Sequence, residues 1–116
     1  MHRRSDRGAV AVEAAFASIG LVLLLAVLVS AVGVVLAQVQ CTDAAAAIAR
    51  QRARGDAAGE VEARAHVPAG ARVAMTTTAT RVTVRVDVTA ALMPGSRLTV
   101  DLSAVSTAVL EPGATP

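Results

Sequence analysis

The chain has no lysine, no tryptophan and no tyrosine, and it carries one phenylalanine and one cysteine in 116 residues. Each scarcity excludes something. A soluble core of this size normally draws on several aromatic side chains, which bury large areas. Here 54% of the residues are hydrophobic and only 1% are aromatic, so the apolarity is held in some other form. The lone cysteine, Cys41, rules out an intramolecular disulfide. All 11 basic residues are arginines, against 9 acidic residues, and the formal charge is +2. The arginines are scattered and have no aromatic partners on which bases could stack, which argues against nucleic acid as a partner. Alongside so much alanine and valine, the arginine-only basic set reflects a GC-rich coding sequence more than a function.

The apolarity sits in one block. From Ala14 to Ala37 there is no charged residue, and the only interruptions are Ser18, Gly20, Ser30 and Gly33. As a helix this run covers about 36 Å, enough to cross a hydrocarbon core of about 30 Å with some tilt. A chain of this length cannot wrap a helix that is apolar on every side, so the run predicts a single membrane span. Arg3, Arg4 and Arg7 precede it and the next arginine is Arg50. The positive-inside rule therefore predicts a cytoplasmic N-terminus and an outer C-terminal region. The run is longer than the apolar region of a cleaved secretory signal, although Ala31-Val32-Gly33 offers a small-x-small site. The lipid bilayer is the first partner expected.

The head of the run reads "RGAVAVEAAF", Arg7 to Phe16. Glu13 is the only carboxylate there, and Gly8 precedes it by five positions. A cut after Gly8 would make Ala9 the new N-terminus and Glu13 its fifth residue. A short basic leader, a glycine at the cut, a glutamate at the fifth mature position and a long apolar helix make up the layout of type IV pilin precursors. "AQVQCTDAAAAIARQRARGD", Ala37 to Asp56, and "RVTVRVDVTAALMPGSRLTVDLSAVSTAVLEP", Arg81 to Pro112, extend the likeness. Over nearly its whole length the chain resembles the TadE-like minor pilins of the tight-adherence pilus system. Major pilins of that system usually carry tyrosine directly after the glutamate. Here Ala14 follows Glu13, which points to a minor subunit.

The resemblance implies roles for these residues. Gly8 and Ala9 would flank the bond cut by a prepilin peptidase. Glu13 would act in assembly, its carboxylate facing the freed α-ammonium of a neighbouring subunit, a pairing that offsets desolvation and fixes register. The plainer reading leaves Glu13 solvated by headgroups at the cytoplasmic interface. Implied partners are the peptidase, other pilin-like subunits and the assembly platform. The two rivals are a permanently anchored accessory protein of a secretion system and a binding domain released by signal peptidase.

The rest of the chain predicts a small α+β domain with a short helix and a three-stranded antiparallel sheet. The long helix is expected over residues 9–54, after a basic leader over residues 1–8. "TDAAAAIARQRAR" is rich in strong helix formers, Gly55 is a stop and Asp56 a cap for the next helix, roughly Ala57 to His66. Arg50, Arg52 and Arg54 read as a solvated helix end. "RVTVRVDV", Arg81 to Val88, alternates strictly and predicts a half-buried strand with Val82, Val84, Val86 and Val88 inward. Ala71–Thr78 is a second strand, with Val73 and Met75 inward. Arg97–Leu110 is a third, with Leu98, Val100 and Leu102 inward and a phase slip near Ser103-Ala104 that suggests a bulge. Pro94-Gly95 suits a type II turn, while the turn at Thr78–Thr80 carries neither Gly nor Asn and predicts no type. Domain 55–111 is then followed by a disordered tail over residues 112–116.

No catalytic constellation, cofactor loop or metal-ligand spacing appears, so a structural subunit is expected rather than an enzyme. His66 reads as a surface or packing residue. Cys41, just beyond the apolar run, is either a small buried hydrophobe or an intermolecular contact, a disulfide included.

Overall fold

A computed structural model describes residues 3–114, with the side chains of residues 3–6 excluded. Helix α1 runs from Arg3 to Arg54, α2 from Ala57 to Ala65, and strands β1 (Arg72–Thr77), β2 (Arg81–Ala91) and β3 (Thr99–Val109) follow. The strands form one antiparallel sheet in the order β1-β2-β3. Two compact units divide the chain, Met1–Val32 and Gly33–Pro116. The first is helix throughout its described residues, and the second holds everything else.

Helix α1 starts before the expected boundary at Ala9, because nothing between Arg3 and Gly8 breaks a helix. Its end is a two-bond C-cap. Gly55 takes φ +74°, its N–H donates to Arg52 O at 3.1 Å, and the Asp56 N–H donates to Gln51 O at 3.0 Å. This is the Schellman arrangement, which needs a residue free to adopt positive φ. Asp56 then caps α2, its Oδ1 accepting from the Gly59 N–H at 2.9 Å.

The core lies in the second unit. Cys41, Ala45, Ile48 and Ala49 of α1 meet Val82, Val84, Val86 and Val88 of β2 and Ala104 of β3. Val73 and Met75 pack at its margin from β1, as their alternation predicts. Met93-Pro94-Gly95-Ser96 closes as expected, with Gly95 at φ +76° and the Ser96 N–H on Met93 O at 3.0 Å.

Two expectations fail in this unit. The bulge is absent: every pair from Arg81↔Val109 to Ala91↔Thr99 is in step. The inward residues of β3 are Val100, Leu102, Ala104, Ser106 and Ala108, while Val105 and Val109 face outward and are exposed. The apparent slip came from assuming that the larger residues point inward, whereas the inward positions of β3 from Ala104 to Ala108 are small. Leu98 is also not inward. It lies outside β3 in the β2–β3 turn and is 64% exposed. After β3 the Glu111 N–H donates to Ala53 O, and within the expected tail the Ala114 N–H closes a turn on Glu111 O, both at 3.0 Å. Residues 115–116 lie outside the described part, as do Met1 and His2.

Candidate functional site

The residues singled out at the head of the apolar run all lie on α1. Gly8, Ala9 and Glu13 are helical and exposed. A Cβ added at Gly8 would meet nothing within 4 Å, and no positive φ holds it there. The fold therefore gives no reason for glycine at a position where alanine would favour the helix by about 1 kcal/mol. Among the described residues Glu13 makes no ion pair and no side-chain hydrogen bond.

Beyond Glu13 the helix is bare. Phe16, Ile19, Leu21, Leu25 and Val29 are all more than half exposed, and the most apolar stretch has no buried residue. The helix is long and apolar enough to cross a membrane. Its few polar side chains are satisfied within it: Ser18 Oγ donates to Ala14 O, and Ser30 Oγ to Ala26 O, both at 2.8 Å. A hydroxyl bonded to its own helix four residues back removes most of the penalty it would incur in hydrocarbon.

Cys41 lies apart from this exposed surface. It is fully buried in the core of the second unit, and burial, reinforced by the nearby Asp87 carboxylate, pushes its thiol pKa up. A thiol held protonated and enclosed is a poor nucleophile. Of the two readings of Cys41, the small buried hydrophobe matches its place, because the α1 face that carries it is the face the sheet covers.

One role was missed in the sequence. The arginines near the end of α1 are not all solvated. Arg52 Nη1 reaches Glu60 Oε2 at 3.4 Å, and Arg64 Nη2 reaches Glu60 Oε1 at 2.9 Å. Glu60, with its side chain only 12% exposed, is thus held between two guanidinium groups and ties α2 to the end of α1. Arg54 lies 3.6 Å from Glu111 in an exposed pair. The spacing of Glu60 and Arg64, four apart on a helix, was the available signal. His66 is exposed, its Nδ1 2.9 Å from Glu62 O.

The outward face of the sheet is polar. Arg85 Nε binds both Asp87 oxygens at 2.9 Å, and Thr89 Oγ1 donates to Asp101 at 2.7 Å. With Arg72 and Ser103 these residues line a shallow open groove. Among the described residues no three His, Cys, Asp or Glu side chains converge as a metal site would require. Comparison with known families, curated proteins and solved structures finds no match.

Proposed function

We propose that this chain is a pilin-like minor subunit of a tight-adherence type pilus or a related secretion machine. It would be held by α1 in the cell membrane, with its N-terminus in the cytoplasm and its sheet domain outside. A prepilin peptidase would cut after Gly8, and α1 would then join other pilin-like subunits on an assembly platform. In this reading the protein is the substrate of an enzyme and not itself one.

The observation that carries the reading is the pair Gly8 and Glu13 at the head of a bare apolar helix. Gly8 is disfavoured in a helix, Glu13 is disfavoured beside hydrocarbon, and among the described residues neither has a partner in the fold. A glycine that costs helix stability suits a peptidase that must open the backbone to cut it. A carboxylate beside hydrocarbon, costing roughly 2.5–3.5 kcal/mol on insertion scales when placed centrally, suits a partner on another molecule. The freed ammonium of Ala9 in a neighbouring subunit would provide one.

A second reading has an observation of its own. Helix α1 passes through Gly8 without a break from Arg3 onward, which suits an accessory protein that keeps its N-terminus and stays anchored. Intact-mass and N-terminal analysis of the membrane form from native cells separates the two. A chain beginning at Ala9 is expected. A chain that retains residues before Gly8 supports the anchored protein, and one beginning beyond Ala31 supports a released domain and overturns both.

A further inference from the structure

We propose that the two free edges of the sheet join head to tail, the β1 edge of one copy of this chain pairing in parallel with the β3 edge of the next. Only the second compact unit is involved. The pairing depends neither on a cut after Gly8 nor on the span, so it goes beyond the pilin reading and stands or falls without it.

Both edges are open. β1 and β3 each pair with β2 alone. Natural edge strands are usually short, or are blunted by lysine, proline or a bulge. β3 runs for 11 residues, stays in step with β2 throughout, and holds no proline and one charged residue, Asp101. The hydrogen-bond phase identifies the unpaired groups. The Leu110 N–H on Thr80 O and the Leu92 N–H on Leu98 O turn the even-numbered residues of β3 toward β2. The odd-numbered ones, Asp101, Ser103 and Val105 among them, therefore turn their N–H and C=O to the free edge, where Ser103 O accepts from Gln38 Nε2 at 3.0 Å. By the same rule, the Thr78 N–H on Arg81 O leaves Val73, Met75 and Thr77 facing the free edge of β1. Cover over the inward face is centred on β2. Val82, Val84 and Val86 are fully buried, whereas Val73, Met75 and Leu102 are half-buried.

These features fit one occupant, a second copy of the chain. Both edge strands run antiparallel to β2, so they are parallel to each other. Translating one copy beside another brings β1 against β3. One register satisfies hydrogen bonds, faces and charge together: Arg72, Val73, Ala74 and Met75 of one copy opposite Asp101, Leu102, Ser103 and Ala104 of the next. In it the Val73 N–H meets Asp101 O, and Val73 O meets the Ser103 N–H, the slanted pattern of a parallel pair. The Met75 N–H shares Ser103 O with Gln38, since a carbonyl has two acceptor sites. Val73 and Met75 come to lie beside Leu102 and Ala104 on the inward face, and each extends the other's cover. On the outward face Arg72 and Asp101 are exposed and opposite in sign, and neither has an ion-pair partner among the described residues. Within one chain β2 stands between them, whereas between copies they are neighbours. A contact that uses different surfaces on the two copies leaves a free edge at each end and propagates.

The test is disulfide cross-linking of the full chain in detergent micelles, in a Cys41→Ala background, with copper phenanthroline as oxidant. Ala74→Cys and Ser103→Cys lie at exposed positions of β1 and β3. With β2 between them and strands about 4.8 Å apart, they are too distant to bridge within one chain. Expected are a ladder of dimers, trimers and larger species from the double variant, dimers from a mixture of the two single variants, and no cross-link from either single variant alone. Val105→Pro removes a free-edge N–H and spares the β2 ladder, so it should abolish the cross-linked ladder and keep the domain's urea midpoint. Arg72→Asp should cut the cross-linked yield about fivefold, and adding Asp101→Arg should restore it. A dimer from Ser103→Cys alone would set two β3 strands against each other and overturn the head-to-tail pairing. So would the absence of any cross-link in the double variant, or equal cross-linking of Thr76→Cys with Ser103→Cys, two residues out of register. Whether the native chain begins at Ala9 or keeps its first residues leaves every one of these outcomes unchanged.

Discussion

The two halves of α1 reverse the usual relation between side-chain size and burial. From Phe16 to Leu36 the helix is built mainly of Leu, Val and Ile, and its large residues, Val34 apart, are more than half exposed. From Cys41 to Ala53 alanine is the commonest residue, and Ala45 and Ala49 are fully buried. One continuous helix thus meets two surroundings. A lipid-facing helix needs large apolar area on every side, because hydrocarbon adapts to whatever shape it meets. A helix laid on a sheet needs short side chains along one stripe, so that the branched valines of β2 can fill the space between. Side-chain volume separates the two halves as well as hydrophobicity does.

The strongest way to break that comparison is to place the same charge in each half. Ile48→Asp would bury an unpaired carboxylate in the core and should cost about 3–5 kcal/mol, enough to unfold the sheet domain while leaving insertion intact. Leu24→Asp should cost roughly 2.5–3.5 kcal/mol of insertion and leave the domain folded. Limited proteolysis reads the first and carbonate extraction of membranes the second. Crossed outcomes would show that the halves are not independent. Next in size is Ala45→Leu, which should overpack the helix–sheet contact and cost about 1–3 kcal/mol, seen as a lower urea midpoint of the domain. Ala26→Leu, in the exposed half, should leave that midpoint unchanged. Gly55→Ala should cost about 1–2 kcal/mol of domain stability, because alanine must take the positive φ that ends α1.

Much of this fold was legible because its signals were local. The period-two run of Arg81–Val88, Gly55 followed by Asp56, and Pro94-Gly95 each define their own geometry. The failures all needed knowledge of what lay opposite. Val105 and Val109 look like core residues and face outward, since the strand phase is set by Ala104 under α1. Leu98 continues the apolar pattern of β3 but falls beyond the ladder. Arg52 looks solvated until α2 folds back and delivers Glu60 to it. Of the candidate site, the long apolar helix was readable, and burial of Cys41 was one of two readings the sequence left open. A cysteine among alanines signals a small side chain without saying which way the stripe faces.

The smallest expected effect separates the two halves by chemistry at that boundary. Cys41 is the first fully buried residue after the apolar run, and burial, helped by Asp87, raises its pKa. In the folded chain the thiol is therefore harder to ionise than in the unfolded chain. The sign follows directly: the contribution to stability is complete below the ordinary thiol range and is lost as pH rises through the raised value. Cys41→Ala should flatten this alkaline arm of the urea midpoint with little change at neutral pH. A maleimide should label Cys41 only as fast as the domain opens, so labelling should speed up in Ile48→Asp and not in Leu24→Asp. Rapid labelling of the folded wild type would put the thiol outside the core and move the boundary between lipid-facing and sheet-facing helix beyond residue 41.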